Sequence, residues 1–224
     1  MNVPALDFAS DGARLFSGAA ARRLVELRKL FSGQPQHVAG IRLHGVERLR
    51  PYLSSEGPIG AIAAALIGPG SRPVRAILFD KTAVTNWSLG WHQDRTICVR
   101  NRVKVDGYGP WTIKGGMHHV APPFDLLSRM VTLRVHLDDV PEDNAPLLIV
   151  PGSHKLGRVA ESEIETVVLR LGVRPCLAAA ADVWAYATPI IHGSKPAALP
   201  TRRRVLQVDY SCDDLPTGLD WLGV

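Results

Sequence analysis

The chain has 224 residues, 46% of them hydrophobic and 21% charged, which suffices for one full globular core. Its formal charge of +5 is scattered except at Arg202-Arg203-Arg204, so the basic balance points to anionic small molecules at most and not to nucleic acid. The longest apolar stretch, 59–67, is too short to span a bilayer, the first residues lack the pattern of a secretory leader, and three cysteines without close spacing (Cys98, Cys176, Cys212) read as reduced thiols; together these predict a cytoplasmic protein without a membrane partner.

The first third reads as helical. Ser17 is a candidate cap for a helix with Leu24, Leu27 and Phe31 at helical spacing and Gly33 as its stop. A second helix is predicted over 58–67, with Pro58 near its start, Gly68 past its end and Ile59, Ile62, Ala63 and Leu66 as its apolar face. From Val74 onward the pattern changes to short strands, the first candidates being 74–80 and 88–103. Residues 107–123, punctuated by seven Gly and Pro, read as a long loop that covers a pocket mouth and moves more than its surroundings.

Residues 131–138 alternate, with Val131, Leu133, Val135 and Leu137 on one face and Thr132, Arg134, His136 and Asp138 on the other. A strand at 147–150, the turn Pro151-Gly152-Ser153, a helix over 161–171 and strands at 182–187 and 203–210 complete the pattern. Short strands between turn signals predict a mainly β fold, a double-stranded β-helix (jelly roll, cupin-like) with helices packed outside. The expected organisation is one domain over 1–224, residues 1–70 forming a helical support for a jelly-roll core at 74–211.

Two distant pieces carry the chemistry: Trp91-His92-Gln93-Asp94 and Ile191-His192-Gly193-Ser194. Residues two apart on a strand point the same way, so His92 and Asp94 can share an interior face while Trp91 and Gln93 face the other side. With His192 from a later strand they supply two imidazoles and a carboxylate, the facial set that holds non-heme Fe(II) and leaves positions open. Catalytic zinc sites use the same donors, usually with both histidines on one helix as His-Glu-x-x-His, a motif this chain lacks. The bland alternatives are a core histidine at 192 and a turn cap or Arg95 partner at Asp94. His118-His119 point in different directions if extended and make poor joint ligands. Arg203, 11 residues after His192, suits an anionic cosubstrate.

These residues match a family pattern. Ile77-Leu78-Phe79-Asp80-Lys81, Asn86-Trp87, Trp91-His92-Gln93-Asp94, Leu137-Asp138-Asp139, Asp143-Asn144-Ala145-Pro146-Leu147, Val150-Pro151-Gly152-Ser153-His154-Lys155-Leu156-Gly157 and His192-Gly193-Ser194 … Arg203 resemble the phytanoyl-CoA dioxygenase family, especially its small bacterial members. The resemblance covers about 74–211. It implies an Fe(II)/2-oxoglutarate-dependent oxygenase that uses O2, releases succinate and CO2, and hydroxylates a C–H of a small metabolite. His92, Asp94 and His192 would bind iron. Arg203 would clamp the distal carboxylate of 2-oxoglutarate with Ser194 assisting; a different strand register would make Arg202 or Arg204 the clamp.

Arg134 falls beside the cosubstrate in the resemblance. Lys81 falls on a strand edge near the site, where a solvated role is equally open. Related halogenases lack the carboxylate that Asp94 provides, so oxidation is favoured over halogenation. Trp87, Trp111, Met117 and His119 are substrate-pocket candidates by loop position, with packing beneath the loop the alternative for both tryptophans. A non-catalytic jelly-roll binding protein and a zinc-dependent hydrolase stay open as other classes. Two departures stand out: the family reads glycine where this chain has Ala145 and Ala181, both in turns.

Overall fold

The computed structural model describes residues 5–35, 38 and 40–224. Residues 1–4, on which the expected lack of a leader rests, lie outside the described residues, as do 36, 37 and 39. Among the described residues thirteen strands run in chain order: β1 Ala13–Phe16, β2 Gly40–Leu43, β3 Arg72–Lys81, β4 Leu89–His92, β5 Ile97–Val99, β6 Trp111–Lys114, β7 Met117–Val120, β8 Val131–His136, β9 Leu147–Ile149, β10 Arg174–Cys176, β11 Val183–Ala187, β12 His192–Ser194 and β13 Arg203–Ser211.

They form a six-stranded sheet, β1-β11-β8-β13-β3-β2, a four-stranded sheet, β10-β9-β12-β4, and a three-stranded sheet, β5-β7-β6, with every named pairing antiparallel. This is the expected jelly-roll architecture.

Sequence alternation explains the layering. On β8, Val131, Leu133 and Val135 enter a core with Leu78 of β3, Leu206 and Val208 of β13, and Leu27, Phe31, Leu53 and Ile59 from the helical segments. Burying each large apolar side chain here stabilises the fold by roughly 1.5–3 kcal/mol. The alternate residues Thr132, Arg134 and His136 are also buried. The polar face of this strand therefore looks into the barrel and not at water, which period-2 patterning alone does not distinguish.

Helices at Leu24–Leu30 and Gly60–Ile67 match the expected ones, the second ending at Gly68 with φ 110°. Ser17 does not cap the first: Ala20 precedes a short 3-10 turn, Ala21–Arg23, with no side-chain cap. The helical N-terminal third needs correction in one respect, because β1 and β2 extend the six-stranded sheet at its two edges. Both are four residues long, too short for periodicity to reveal. The predicted strand over 88–103 divides into β4 and β5, which join different sheets.

The expected long loop over 107–123 is instead a hairpin. β6 and β7 pair from Trp111↔Val120 to Lys114↔Met117 around Gly115-Gly116, both with positive φ (58° and 77°). Two left-handed residues build the turn whose twist suits adjacent strands, so this glycine pair specified a hairpin. No helix among the described residues is long and apolar enough to cross a membrane. Cys98 and Cys176 are buried, Cys212 is half-buried, and all three are free thiols.

Candidate metal and anion site

His92 and His192 are brought together by strand pairing: they are directly opposed residues of β4 and β12. Opposed residues in an antiparallel pair hold their Cβ atoms about 4.5–5.5 Å apart, and here the ring centroids lie 4.3 Å apart. Gly193 permits the close approach of β12 to β4, since a Cβ there would meet the Leu89 carbonyl oxygen at 3.0 Å. Asp94 follows β4 on the same side as His92. One donor atom from each of His92, Asp94 and His192 lies within 4.8 Å of the others. Gln93 faces away as expected; it is buried and bonds Gly157, Pro189 and Val159.

Backbone contacts set the imidazole tautomers. His92 Nδ1 lies 2.8 Å from the Gly90 carbonyl and His192 Nδ1 lies 2.9 Å from the Ile190 carbonyl. A carbonyl only accepts, so each Nδ1 carries the proton and each Nε2 keeps a free lone pair. Such second contacts fix the orientation of metal-ligating histidines. Burial, then neighbouring His92, pushes the His192 imidazole down to about 4, so it is neutral at physiological pH.

Burial raises the Asp94 carboxyl, but Arg75 first, then His192 and His92, outweigh that effect and leave it below the usual range. Arg75 donates to Asp94 Oδ2 at 3.2 Å and to Asp209 Oδ2 at 2.5 Å. Asp209 also accepts from Thr132 at 3.0 Å, tying the acid to the sheet floor. Arg95, the other partner considered for Asp94, bonds Glu161 and Val159 instead. Two imidazoles that bond carbonyls through Nδ1 and present Nε2, with an ionised carboxylate, fit a first-row divalent metal.

A second cluster lies beside the first. Arg203 and Lys81 are opposed residues of β13 and β3, and Gln207 is opposed to Arg134 of β8. The three cations Lys81, Arg134 and Arg203 are 0%, 6% and 3% exposed. None has a carboxylate partner among the described residues. Arg203 Nη1 donates to the Ala145 carbonyl and Arg134 Nη1 to Gln207 Oε1 at 2.7 Å, while the Nε atoms of both have no partner among the described residues. Lys81 Nζ donates to the Trp87 and Lys195 carbonyls at 2.6 and 3.2 Å, so it is buried and not a solvated edge residue. Burial, then Arg203 and Arg134, lowers the Lys81 ammonium to about 8. Unpaired buried cations are costly, and an oxyanion is the ligand that relieves that cost.

The arginine run shows which residue is free for this. Arg202 is ion-paired with Asp80 (2.7 Å) and Arg204 with Asp138 (2.7 Å), while Arg203 points between them into the barrel. The alternation that singled out Arg203 is the one the strand adopts.

The cavity uniting these groups has a volume of about 150 Å³. Arg134, His92, Asp94, His192, Ser194, Arg203 and Trp87 all reach it. Trp111, Met117 and His119 do not. Trp111 packs against the Ile97, Val99 and Leu126 cluster with Arg102 over its ring. His119 is fully buried, its Nδ1 3.0 Å from the Met117 carbonyl. The reason is the hairpin: its register puts Trp111 with Val120 on the face that packs on the Ile97 and Val99 cluster, and Met117 and His119 on the other face with Lys114, which alone of the hairpin residues reaches the cavity.

Sequence reasoning missed Arg75, Gln207 and Asp209. The last two were recoverable, since they continue the Arg203-Val205 alternation on β13. The Arg75–Asp209 ion pair depends on register between β3 and β13, which no local pattern reveals.

Residues 61–196 match the model of the phytanoyl-CoA dioxygenase family. No curated protein matches in sequence. Among solved structures, EctD from S. alaskensis with 2-oxoglutarate and 5-hydroxyectoine superposes with a TM-score of 0.67 at 17% identity, covering 91% of this chain and 73% of that one. HygX from Streptomyces hygroscopicus with nickel and 2-oxoglutarate bound gives 0.61 at 16%, covering 94% and 84%. The α-ketoglutarate-dependent epimerase SnoN from nogalamycin biosynthesis gives 0.60 at 18%, covering 96% and 89%. At these identities the likeness is one of fold.

Proposed function

The chain belongs to the phytanoyl-CoA dioxygenase family, and on that premise we propose that it is an Fe(II)/2-oxoglutarate-dependent oxygenase acting on a small molecule. Its chain is read as one catalytic domain. The observation that carries the reading is the conjunction of an opposed His92/His192 pair and Asp94 with a buried arginine, Arg203, that has no acidic partner among the described residues. EctD and HygX, which share the fold, carry 2-oxoglutarate in their structures.

His92 Nε2, His192 Nε2 and a carboxylate oxygen of Asp94 would hold the metal. When bound, iron and 2-oxoglutarate supply, with O2, the oxidising equivalent, and succinate and CO2 leave. The protein's share is binding and orientation. Arg203 offers the cosubstrate's distal carboxylate a planar pair of donors, which a lysine lacks. Arg134 and Lys81 add positive charge behind it, and Ser194 adds a hydroxyl at the wall. Gly90 and Ile190 carbonyls hold both imidazoles in the ligating tautomer. Arg75 holds Asp94 ionised. Trp87 and Phe79, with ring centroids 6.4 Å apart, form an apolar wall that excludes water.

Asp94 retains the carboxylate that favours oxidation over halogenation. Hydroxylation of an unactivated C–H is the first reading; epimerisation, the reaction named for SnoN, is the second. The test is succinate release from 2-oxoglutarate with Fe(II), ascorbate and O2. Wild-type protein should form succinate, and Asp94→Ala and His192→Ala should not; equal yields from all three would sink the proposal.

A further inference from the structure

The cavity carries more positive charge than Asp94 and a dicarboxylate cosubstrate balance. Five cationic side chains line it, Arg42, Arg75, Lys114, Arg134 and Arg203, against one carboxylate, Asp94. Arg75 is matched by Asp94 and Asp209. Arg134 and Arg203 face the inner pocket proposed for the distal carboxylate. Arg42 and Lys114 remain, with no ion pair or hydrogen bond to any described residue.

Arg42 is not an ordinary surface arginine. It sits on β2 opposite Ile77 of β3, so it is held at the edge of the six-stranded sheet. The β6–β7 turn covers it: a Cβ on Gly115 would lie 3.5 Å from Arg42 Cδ. Its Nε is buried and has no partner among the described residues. Lys114 enters from that same turn. Burial, and then the charges of Arg75, Lys114 and Arg42 among smaller influences, holds the His119 imidazole down at about 4, which places these cations around one region. A half-buried guanidinium without a counter-charge is poorly screened and attracts an anion more strongly than a solvated one.

The facing wall is apolar. Ile77 and Phe79 alternate along β3, and Trp87 and Leu89 continue the surface toward the mouth, Leu89 being 49% exposed. A molecule spanning the outer cavity meets a cationic end and an apolar side.

We propose that the oxygenase's substrate is a small molecule bearing a carboxylate or phosphate, its oxyanion between Arg42 and Lys114 and its apolar part against Phe79, Trp87 and Leu89. This rests on the oxygenase reading above. The β6–β7 hairpin then acts as a specificity element, because its turn both supplies Lys114 and seats Arg42.

The test uses the full chain loaded with Ni(II) and 2-oxoglutarate, which blocks turnover and fills the inner anion site. The probes are 3-phenylpropanoate with its uncharged amide, and phenyl phosphate with phenol, titrated by calorimetry. At least one acid should bind on the order of 10-fold or more tighter than its uncharged counterpart, the scale of one buried charge-assisted contact. Arg42→Gln and Lys114→Gln should each shrink that preference; Lys114 is exposed, so its variant tests the idea even if Arg42→Gln fails to fold. Whichever acid pair shows the preference separates carboxylate from phosphate. Neither acid binding above its counterpart, or a preference undiminished in both variants, overturns the proposal while leaving the oxygenase reading intact. Failure of the Ni(II) protein to bind 2-oxoglutarate at all overturns that reading and this inference with it.

Discussion

Ala145 and Ala181 are the two non-glycine described residues with left-handed backbone, at φ 51° and 77°. They are also the two positions where the family pattern has glycine. An L-residue in this conformation costs about 1–2 kcal/mol relative to glycine. Substituting glycine relieves that strain. It also adds unfolded-state freedom, destabilising by about 0.4–1 kcal/mol. Each alanine is 3% exposed, so losing its methyl removes a further ~0.8 kcal/mol of burial. The opposing contributions nearly cancel, and Ala145→Gly and Ala181→Gly should each lie within about 1 kcal/mol of wild type.

Ala185 supplies the contrast. It is 0% exposed in the middle of β11, where no left-handed strain exists to relieve. Ala185→Gly bears both losses and should destabilise by about 1.5 kcal/mol. Urea denaturation of the three variants under identical metal conditions measures the gap, expected to be about 1–2 kcal/mol. Equal losses at all three positions would refute the strain argument.

Three further outcomes are expected. Arg203→Lys should raise the apparent constant for 2-oxoglutarate, by less than the roughly 2–5 kcal/mol of full truncation, with metal affinity nearly unchanged; Arg202→Lys and Arg204→Lys should weaken the ion pairs to Asp80 and Asp138 and leave 2-oxoglutarate titrations alone. Lys81 releases its proton near pH 8 when folded and near the ordinary 10.5 when unfolded, so the unfolded state binds more protons between those values and the stability contribution of Lys81 rises with pH across that window. Over the same window 2-oxoglutarate affinity should fall as the anion loses a cationic neighbour, and Lys81→Met should flatten both slopes in paired denaturation and calorimetric pH series. Arg75→Gln leaves buried Asp209 and half-buried Asp94 without their shared cation, for a loss of up to about 3–5 kcal/mol in urea denaturation that saturating Ni(II) should partly restore; a loss under about 1 kcal/mol would show that the pair carries little.

What the sequence made legible follows its periodicities. The β8 alternation and the Arg203 register are period-2 patterns, and both match the strands formed. His92 and Asp94 share a side because only one residue separates them. Their meeting with His192 needed the β4–β12 pairing, a long-range event that the family pattern supplied and local reading did not. The hairpin at 111–120 was misread because glycine and proline count was weighed above glycine position: adjacent Gly115-Gly116 between two four-residue runs is a turn signal. The substrate candidates go astray for the same reason, since the hairpin register divides Trp111 from Met117 and His119 and leaves all three short of the cavity. Arg42 was invisible for another reason, because β2 is an edge strand whose partner is fixed only in the folded sheet.

The proposed function requires one metal site and one cosubstrate site built together around His92, Asp94, His192 and Arg203. Calorimetric titration of Ni(II), then of 2-oxoglutarate, into wild-type, Asp94→Ala and Arg203→Lys proteins tests it most directly. One metal should bind per wild-type chain and 2-oxoglutarate only after metal, with both lost in Asp94→Ala and affinity for 2-oxoglutarate alone lost in Arg203→Lys. Metal binding undiminished by Asp94→Ala, or 2-oxoglutarate binding indifferent to Arg203, would contradict it.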